Sequence, residues 1–392
     1  MNDKSVKILI GGDFVPTLSN KDLFDNEDIV GLLGQDCVDL FTSSDFSITN
    51  LESPLSDSES PISKWGPNLI APTSSVKLIK KLGLNLVGLS NNHILDQGSK
   101  GLQCTIKALD GAGISHVGAG NNIGEAKKVF VSNIKNKKIA VYVCSEHEFN
   151  TATIDTAGAN PFDPLESLDH IKDGKNKADY LVVLFHGGLE FYRYPSPRIK
   201  KVCHKMIDAG ADLVIVQHTH CVGCHEKYNG GEIIYGQGNF LFDRGDDEFW
   251  KTGLLVLVEL GEANKVSFIP LEKNKEKVRI SDDKEILCQF EERSKVVYND
   301  QLIFKMYSDM SEERLNTYLL RIGGRRTNNL LFRGVNKLFR NCLIRKTYSE
   351  KDLLCLIDYL RCEAHNELID AGCMKRHLSK KSMCFRAIKE EM

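Results

Sequence analysis

The feature that most constrains this chain is the run from Ala211 to His220, ADLVIVQHTH, in which apolar β-formers stop at two histidines one residue apart. Successive side chains of an extended segment point to opposite faces, so His218 and His220 are expected on one side of the strand end. Four other strand-like runs stop at residues able to hold a metal: VKILIGGD at Asp13, FSITNLE at Glu52, LNLVGLSNNH at Asn92 and His93, and YLVVLFHGG at His186. In open α/β sheets, ligands bind in the crevice beyond the carboxyl ends of the strands. Five such ends therefore predict one crevice in which oxygen and nitrogen donors converge.

The rest of the chain fits that layout. Residues 6–11 read as a buried strand, with Gly11 and Gly12 turning the backbone to present Asp13, and Asn20 to Gly34 reads as a helix. A polar Ser/Pro loop from Ser53 to Pro72 is long enough to be a functional flap. Helix and strand signals then alternate as far as the histidine pair, which argues for α/β layering. Beyond it come strand after strand, EIIYGQ, GLLVLVEL and KVSFIPL, expected to form a second, partly antiparallel sheet and hence a layered sandwich.

Past about Leu271 the chain becomes charged and then mostly helical, which places a domain boundary near residue 275: a first domain over 1–275 and a helical extension over 276–392. Arg321 to Lys346 contains eight Arg/Lys and no Asp or Glu. Leu331, Val335, Leu338 and Cys342 fall at helical spacing, away from Arg333, Lys337 and Arg340, predicting a basic amphipathic helix over 330–345. Such a helix suits an anionic membrane surface or a partner protein. Ser349 with Asp352 predicts a capped helix start.

A hydrophobic content of 42% can build a full core, and a formal net charge of −2 gives no global reason to bind nucleic acid. No apolar run is long enough to span a bilayer and no export signal precedes the first strand, so a cytoplasmic protein is expected. Twelve cysteines without a regular framework fit reduced thiols. Cys221, Cys224 and His225 spell the attachment pattern of a c-type haem, but that chemistry belongs to exported proteins, and no haem is expected.

Asp13, Glu52, Asn92, His186, His218 and His220 form a mixed donor set that suits manganese, iron or zinc. Six ligands are too many for one open catalytic ion and about right for two sharing a carboxylate, the arrangement that stabilises both attacking and leaving oxygens in hydrolysis. His93, beside a ligand, is the expected proton donor. Asn91, Glu190 and Arg198 are expected at the substrate, and Asp96 is expected to brace the Asn91–Asn92–His93 turn.

The stretches GDF, TNLESPL, LSNNHILDQGSKGL, LDGAGISHVGAGNN, LFHGGLEF, AGADLVIVQHTHCV and IIYGQGNFLFD together resemble the capsule-synthesis family, CapA-like proteins of poly-γ-glutamate biosynthesis, over Lys7 to Asp243. That family is similar to the calcineurin-like metallophosphoesterases. The resemblance implies a four-layer α/β/β/α sandwich with a dinuclear site, in which Asp13 is the first-motif metal aspartate and Glu52 the bridging carboxylate. It further implies Asn92, His186, His218 and His220 as ligands and His93 as the catalytic histidine. Val15 stands where the broader phosphoesterases have a histidine, and Gly187 and Arg198 stand where the family often has tryptophan and glutamine. The implied activity is hydrolysis of a phosphoester or amide of an anionic polymer or its precursor. Alternatives are an epimerase or isomerase working by carbon-acid chemistry at the same site, and a non-enzymatic accessory subunit of a polymer-synthesis complex.

Overall fold

The computed structural model describes residues 5–243, 247–373 and 375–376. The chain divides into two compact units after Lys305, inside the helix Asp300–Ile322. The first unit is a four-layer α/β/β/α sandwich. Its first sheet has Val6–Phe14 near the centre, with Phe46–Leu51, Leu86–Gly88 and Ser115–Val117 laid parallel on one side. Thr252–Leu260, Lys265–Asn274 and Lys277–Ile280 follow antiparallel on the other side, and Asn239–Leu241 pairs beside Asp13 and Phe14. The second sheet runs in the order Val222–Tyr228, Gly231–Gln237, Leu213–Gln217, Tyr180–His186, Lys137–Ser145, Phe130–Ile134, its inner four strands parallel.

Alternation along each strand sorts the layers. Val6, Ile8 and Ile10 face the second sheet and pack with Val141, Val143, Val182, Leu184, Leu213 and Ile215. Leu9 and Phe14 point the other way, onto Leu32, Phe41, Leu78 and Leu102 of the outer helices. On the second sheet Tyr142, Val183, Val214 and Val216 turn outward onto Ile171, Ile199, Cys203 and Met206, from the helices Ser167–Lys175 and Pro197–Asp208. Strands buried on both faces read as unbroken apolar runs, which is why Tyr180–His186 is buried at every position.

Three expectations about the first unit are corrected. The segment from Asn20 to Gly34 is not one helix: Glu27 takes a left-handed φ of 52°, and Asp28 caps a second short helix, Ile29–Leu33, by accepting from the Gly31 amide at 2.8 Å. Of the late strands, only Gly231–Gln237 joins the second sheet, while Thr252–Leu260 and Lys265–Asn274 extend the first, antiparallel to Val6–Phe14. Residue 275 is a hairpin turn rather than a domain boundary. Lys275 has φ 52°, and the returning strand Lys277–Ile280 continues the sheet. Beyond it, the Arg293 guanidinium in helix Lys284–Val296 donates to the Gly223 carbonyl at 2.7 Å, so this helix belongs to the first unit.

The second unit is helical, with Leu330–Leu338, Cys342–Thr347 and Glu350–Arg361 following the end of the long helix. The basic helix expected over 330–345 is two helices, broken where Arg340 and Asn341 adopt left-handed φ of 48° and 66°. The buried Asn336 clamps that break, donating to the Asn341 side chain at 2.9 Å and accepting from the Ile344 amide at 3.0 Å. Ser349 and Asp352 form the expected capping box. Among the described residues no helix is long and apolar enough to cross a membrane.

Because Leu184 is fully buried between the two sheets, Leu184→Ala is expected to lower stability by about 2–5 kcal/mol. A lower urea midpoint with unchanged slope would show this; an unchanged midpoint would mean the sheets do not share that core.

Candidate metal centre

The donors converge where the two sheets meet at their carboxyl ends. Asp13 lies near the end of Val6–Phe14 and Glu52 just past Phe46–Leu51; Asn92 follows the strand Leu86–Gly88 and His186 ends Tyr180–His186. His218 and His220 lie beyond the end of Leu213–Gln217, and the strand pleat is not what aligns them. Both take left-handed backbone conformations, with φ of 81° and 51°, in a turn that aims them inward. Such conformations cost of order 1–3 kcal/mol each and persist where surrounding contacts enforce them. Here the His218 amide donates to Asp13 Oδ2 at 3.3 Å, and the His220 ring is set by Asn239 Oδ1, 2.8 Å from its Nδ1, and by Trp250 stacked at 4.9 Å.

One contact set is chemically incomplete as protein alone. His186 Nε2 lies 3.0 Å from Asn92 Oδ1, 3.1 Å from His218 Nδ1 and 3.2 Å from Glu52 Oε1. A single ring nitrogen cannot serve three neighbours, and both carboxylate oxygens of Glu52 are buried without a hydrogen-bond partner. Four donors closed around one point, one of them an orphaned carboxylate, fit a divalent cation. A second group, Asp13, Glu52 and His220, likewise brings its donor atoms within 4.8 Å of one another. Glu52 belongs to both groups.

Electrostatics agree. Burial, reinforced by the charge of Glu52, pushes Asp13 up to about 7, and burial pushes Glu52 up to about 8. Burial holds His220 down at about 3 and lowers His186 and His218 as well. The pocket thus disfavours ionised carboxylates without a cation and keeps its imidazoles neutral, the form in which they coordinate metal.

The family-level comparison rests on the same segments. The bacterial capsule synthesis protein PGA_cap family model matches residues 7–244. The chain belongs to this family. It is 34% identical over 213 residues to the capsule biosynthesis protein CapA of Bacillus anthracis, and 30% identical over 210 residues to the PGA biosynthesis protein CapA of Bacillus subtilis (strain 168). These alignments cover 52% and 53% of this chain and 52% and 55% of the relatives, so the chain spans about half the length of the curated relatives it matches. A solved structure described as a novel phosphatase, from Mycoplasma pneumoniae, aligns with a TM-score of 0.46 at 13% identity over 69% of this chain and 95% of that one.

Around the donors, this PGA_cap chain carries a further layer of support that its sequence did not announce. The Asn50 side-chain amide lies 2.7 Å from Asp13 Oδ1 and 3.2 Å from His186 Nδ1, tying the two sheets together at the donors. The alternation in FSITNLE places Asn50 on the same face as Glu52, and that was the available signal. Asn91, expected at the substrate, is instead fully buried. Its amide donates to Asn50 and to the Leu51 carbonyl, and its oxygen accepts from the His93 amide. Arg198 is exposed and lines a separate cavity of about 280 Å³ with Glu146, Glu148 and Phe162. Glu190 does stand at the donors, within 4.8 Å of the ligand atoms of His218 and His220. A larger cavity of about 800 Å³, lined by His225, Phe268 and Phe290, holds none of these residues. The two cysteines of the haem-like pattern are buried, and His225 pairs with Glu232 at 2.7 Å.

His93 is held by Asp96, whose carboxylate accepts from Nδ1 at 2.6 Å, leaving Nε2 as the ring's other nitrogen. Asp96 also forms an ion pair with Lys64, both side chains buried. Lys64 comes from the Ser/Pro loop, and it further donates to the Asn92 carbonyl at 3.3 Å. The loop is therefore fastened onto the turn that carries Asn92 and His93. Removing one partner of a buried ion pair leaves an uncompensated charge, so Asp96→Asn or Lys64→Met alone should cost about 3–5 kcal/mol. The double variant should recover much of that loss in thermal or urea unfolding. Additive losses would show that the pair does not couple the loop to the turn.

Proposed function

We propose that this chain is a metal-dependent hydrolase of the capsule and poly-γ-glutamate synthesis family, acting on a phosphoester or amide of an anionic polymer or its precursor. The observation that carries the reading is the orphaned, fully buried carboxylate of Glu52, enclosed by Asn92, His186 and His218. Asp13, Glu52 and His220 would hold one divalent ion, and Glu52, Asn92, His186 and His218 a second. Bound there, the ions supply Lewis-acid polarisation of a phosphoryl or carbonyl oxygen.

The protein's own groups do the rest. Asn50 touches both Asp13 and His186, so it holds donors of the two sheets beside one another. His93, oriented through Nδ1 by Asp96, presents Nε2 to protonate a leaving group. The Ser/Pro loop, fastened by Lys64, is held against the turn that carries Asn92 and His93.

Metal analysis on protein purified without chelator is expected to give close to two equivalents of a transition metal, with clear loss in His218→Ala. Absence of metal even after reconstitution would overturn the reading. With the ion so identified, phosphoesters and γ-glutamyl amides are the substrates to screen. His93→Gln should lower kcat by about 10²–10⁴-fold while leaving metal content intact. Solvent deuterium appearing in recovered substrate would instead assign carbon-acid chemistry.

For the second unit we propose a separate task, contact with an anionic membrane surface. Leu330, Leu331 and Leu338 are 87%, 78% and 78% exposed. Exposed Arg325, Arg326, Arg333, Lys337, Arg345 and Lys346 surround them without an acidic residue between 321 and 346. Apolar side chains beside cations match the boundary between acyl chains and anionic headgroups, where each Lys or Arg contributes about 1 kcal/mol. The full chain should float with phosphatidylserine-rich vesicles and not with phosphatidylcholine ones, and Leu331→Glu with Leu338→Glu should abolish flotation. Equal recovery with both vesicle types, or no effect of the substitutions, would refute the assignment.

A further inference from the structure

Resting on the dinuclear reading above, the geometry points to Glu190 as a metal ligand: we propose that its carboxylate ligates at the side where His218 and His220 approach each other, one imidazole from each ion position. The two positions are unequal without it. One has four protein donors, Glu52, Asn92, His186 and His218, whereas the other has three. On that side the first strand offers no further donor, because Val15 is buried in an apolar cluster with Phe242 and Trp250.

Glu190 approaches from the opposite wall. Its carboxylate and the ligand nitrogens of His218 and His220 all lie within 4.8 Å of one another. It thus faces one imidazole from each position. This approach is built rather than incidental. The loop after Tyr180–His186 is strapped to the histidine turn, the Gly187 amide donating to the Gln217 carbonyl at 3.2 Å and the Phe191 amide to the Thr219 carbonyl at 2.9 Å. Gly188 has φ 96°, a conformation natural to glycine, and its amide donates to Glu146 Oε2 at 3.0 Å. Phe191 is held at φ 60°, unusual for an aromatic residue, with its ring against Trp250 at 5.6 Å and His220 at 6.1 Å. Two left-handed residues, Gly188 and the aromatic anchor Phe191, therefore fix the one carboxylate that lies between them in sequence.

Charge favours the same role. Glu190 lies close enough to Glu52 to help raise it, so in a cation-free pocket it adds repulsion. As a direct contact for an anionic substrate it would repel. As a ligand it offsets: three carboxylates against two divalent ions leave a site with residual positive charge, which attracts an anion. Glu190, expected from sequence at the substrate, is thereby reassigned to the metal.

The test is manganese binding to the full chain after chelator treatment, read by calorimetry and by electron paramagnetic resonance. Wild type should bind two ions and show the signal of an exchange-coupled pair. Glu190→Gln should retain one ion at near wild-type affinity, bind the second at least tenfold more weakly, and show the six-line signal of isolated manganese. Glu190→Asp should recover part of the coupled signal, which a merely structural role would not predict. Two ions at unchanged affinity with a coupled signal in Glu190→Gln would overturn this assignment while leaving the dinuclear reading standing. Fewer than two ions in wild type would overturn the dinuclear reading itself and this inference with it.

Discussion

Everything at the carboxyl end of this sandwich depends on how a buried carboxylate is compensated. Glu52 sits at full burial with neither oxygen bonded, facing His186 and His218, whose neutral forms are favoured by the same burial. Neutral imidazoles beside an unpartnered carboxylate make a poor ion pair and a good coordination sphere. The two-sheet architecture assembles that sphere from complementary halves. The first sheet delivers the oxygen donors, Asp13, Glu52 and Asn92, and the second delivers the nitrogen donors, His186, His218 and His220. The apolar packing between the sheets therefore sets the distance between oxygen and nitrogen ligands.

That arrangement explains where the backbone is strained. A strand pleat aims alternate side chains along a sheet normal, whereas the centre lies beyond the strand ends. His218 and His220 reach it only by leaving the strand and adopting left-handed conformations, His218 held by a contact to Asp13 and His220 by contacts to Asn239 and Trp250. Glycine would relieve the strain but has no ring to offer. The turn keeps histidine and stabilises it from outside.

The strand ends were legible in the sequence because an apolar run that stops at a donor is a local pattern. The four-layer arrangement came from the family resemblance, because strands buried on both faces carry no alternation that would sort them, and the family motifs fixed their order. What was not legible depended on neighbours distant in the chain. Thr252–Leu260 and Lys265–Asn274 carry no mark of which sheet they join; they extend the first because Val6–Phe14 leaves an edge open to antiparallel pairing. The apparent change of character near residue 275 reflects an exposed hairpin tip, since charge accumulates wherever a strand pair leaves the core. Asn91 is expected at the substrate, yet burial commits its amide to the turn itself. Lys64 gave no periodic signal because it acts from a loop, through one ion pair made across 32 residues of chain.

The supporting layer is built from amides rather than charges, and the electrostatics give the reason. Asn50 touches Asp13 and His186, Asn91 holds Asn50, Asn150 donates to the Asn91 carbonyl at 2.7 Å, and Asn239 sets His220. An aspartate at any of these positions could accept a hydrogen bond but would add negative charge to a pocket that already drives Asp13 and Glu52 towards protonation. A lysine would compete with the cation for the same oxygens. An amide offers a donor and an acceptor with no net charge, so it can orient both a carboxylate and an imidazole without biasing the charge balance that draws the ions in. The ion pair of Lys64 with Asp96 is internally neutral and acts on His93, a residue outside the ligand set. Beyond the ligands, Lys273 also adjoins this layer: its amine donates to the Asn239 carbonyl at 3.1 Å, and burial lowers it to about 7, which limits the positive charge it brings near Asp13.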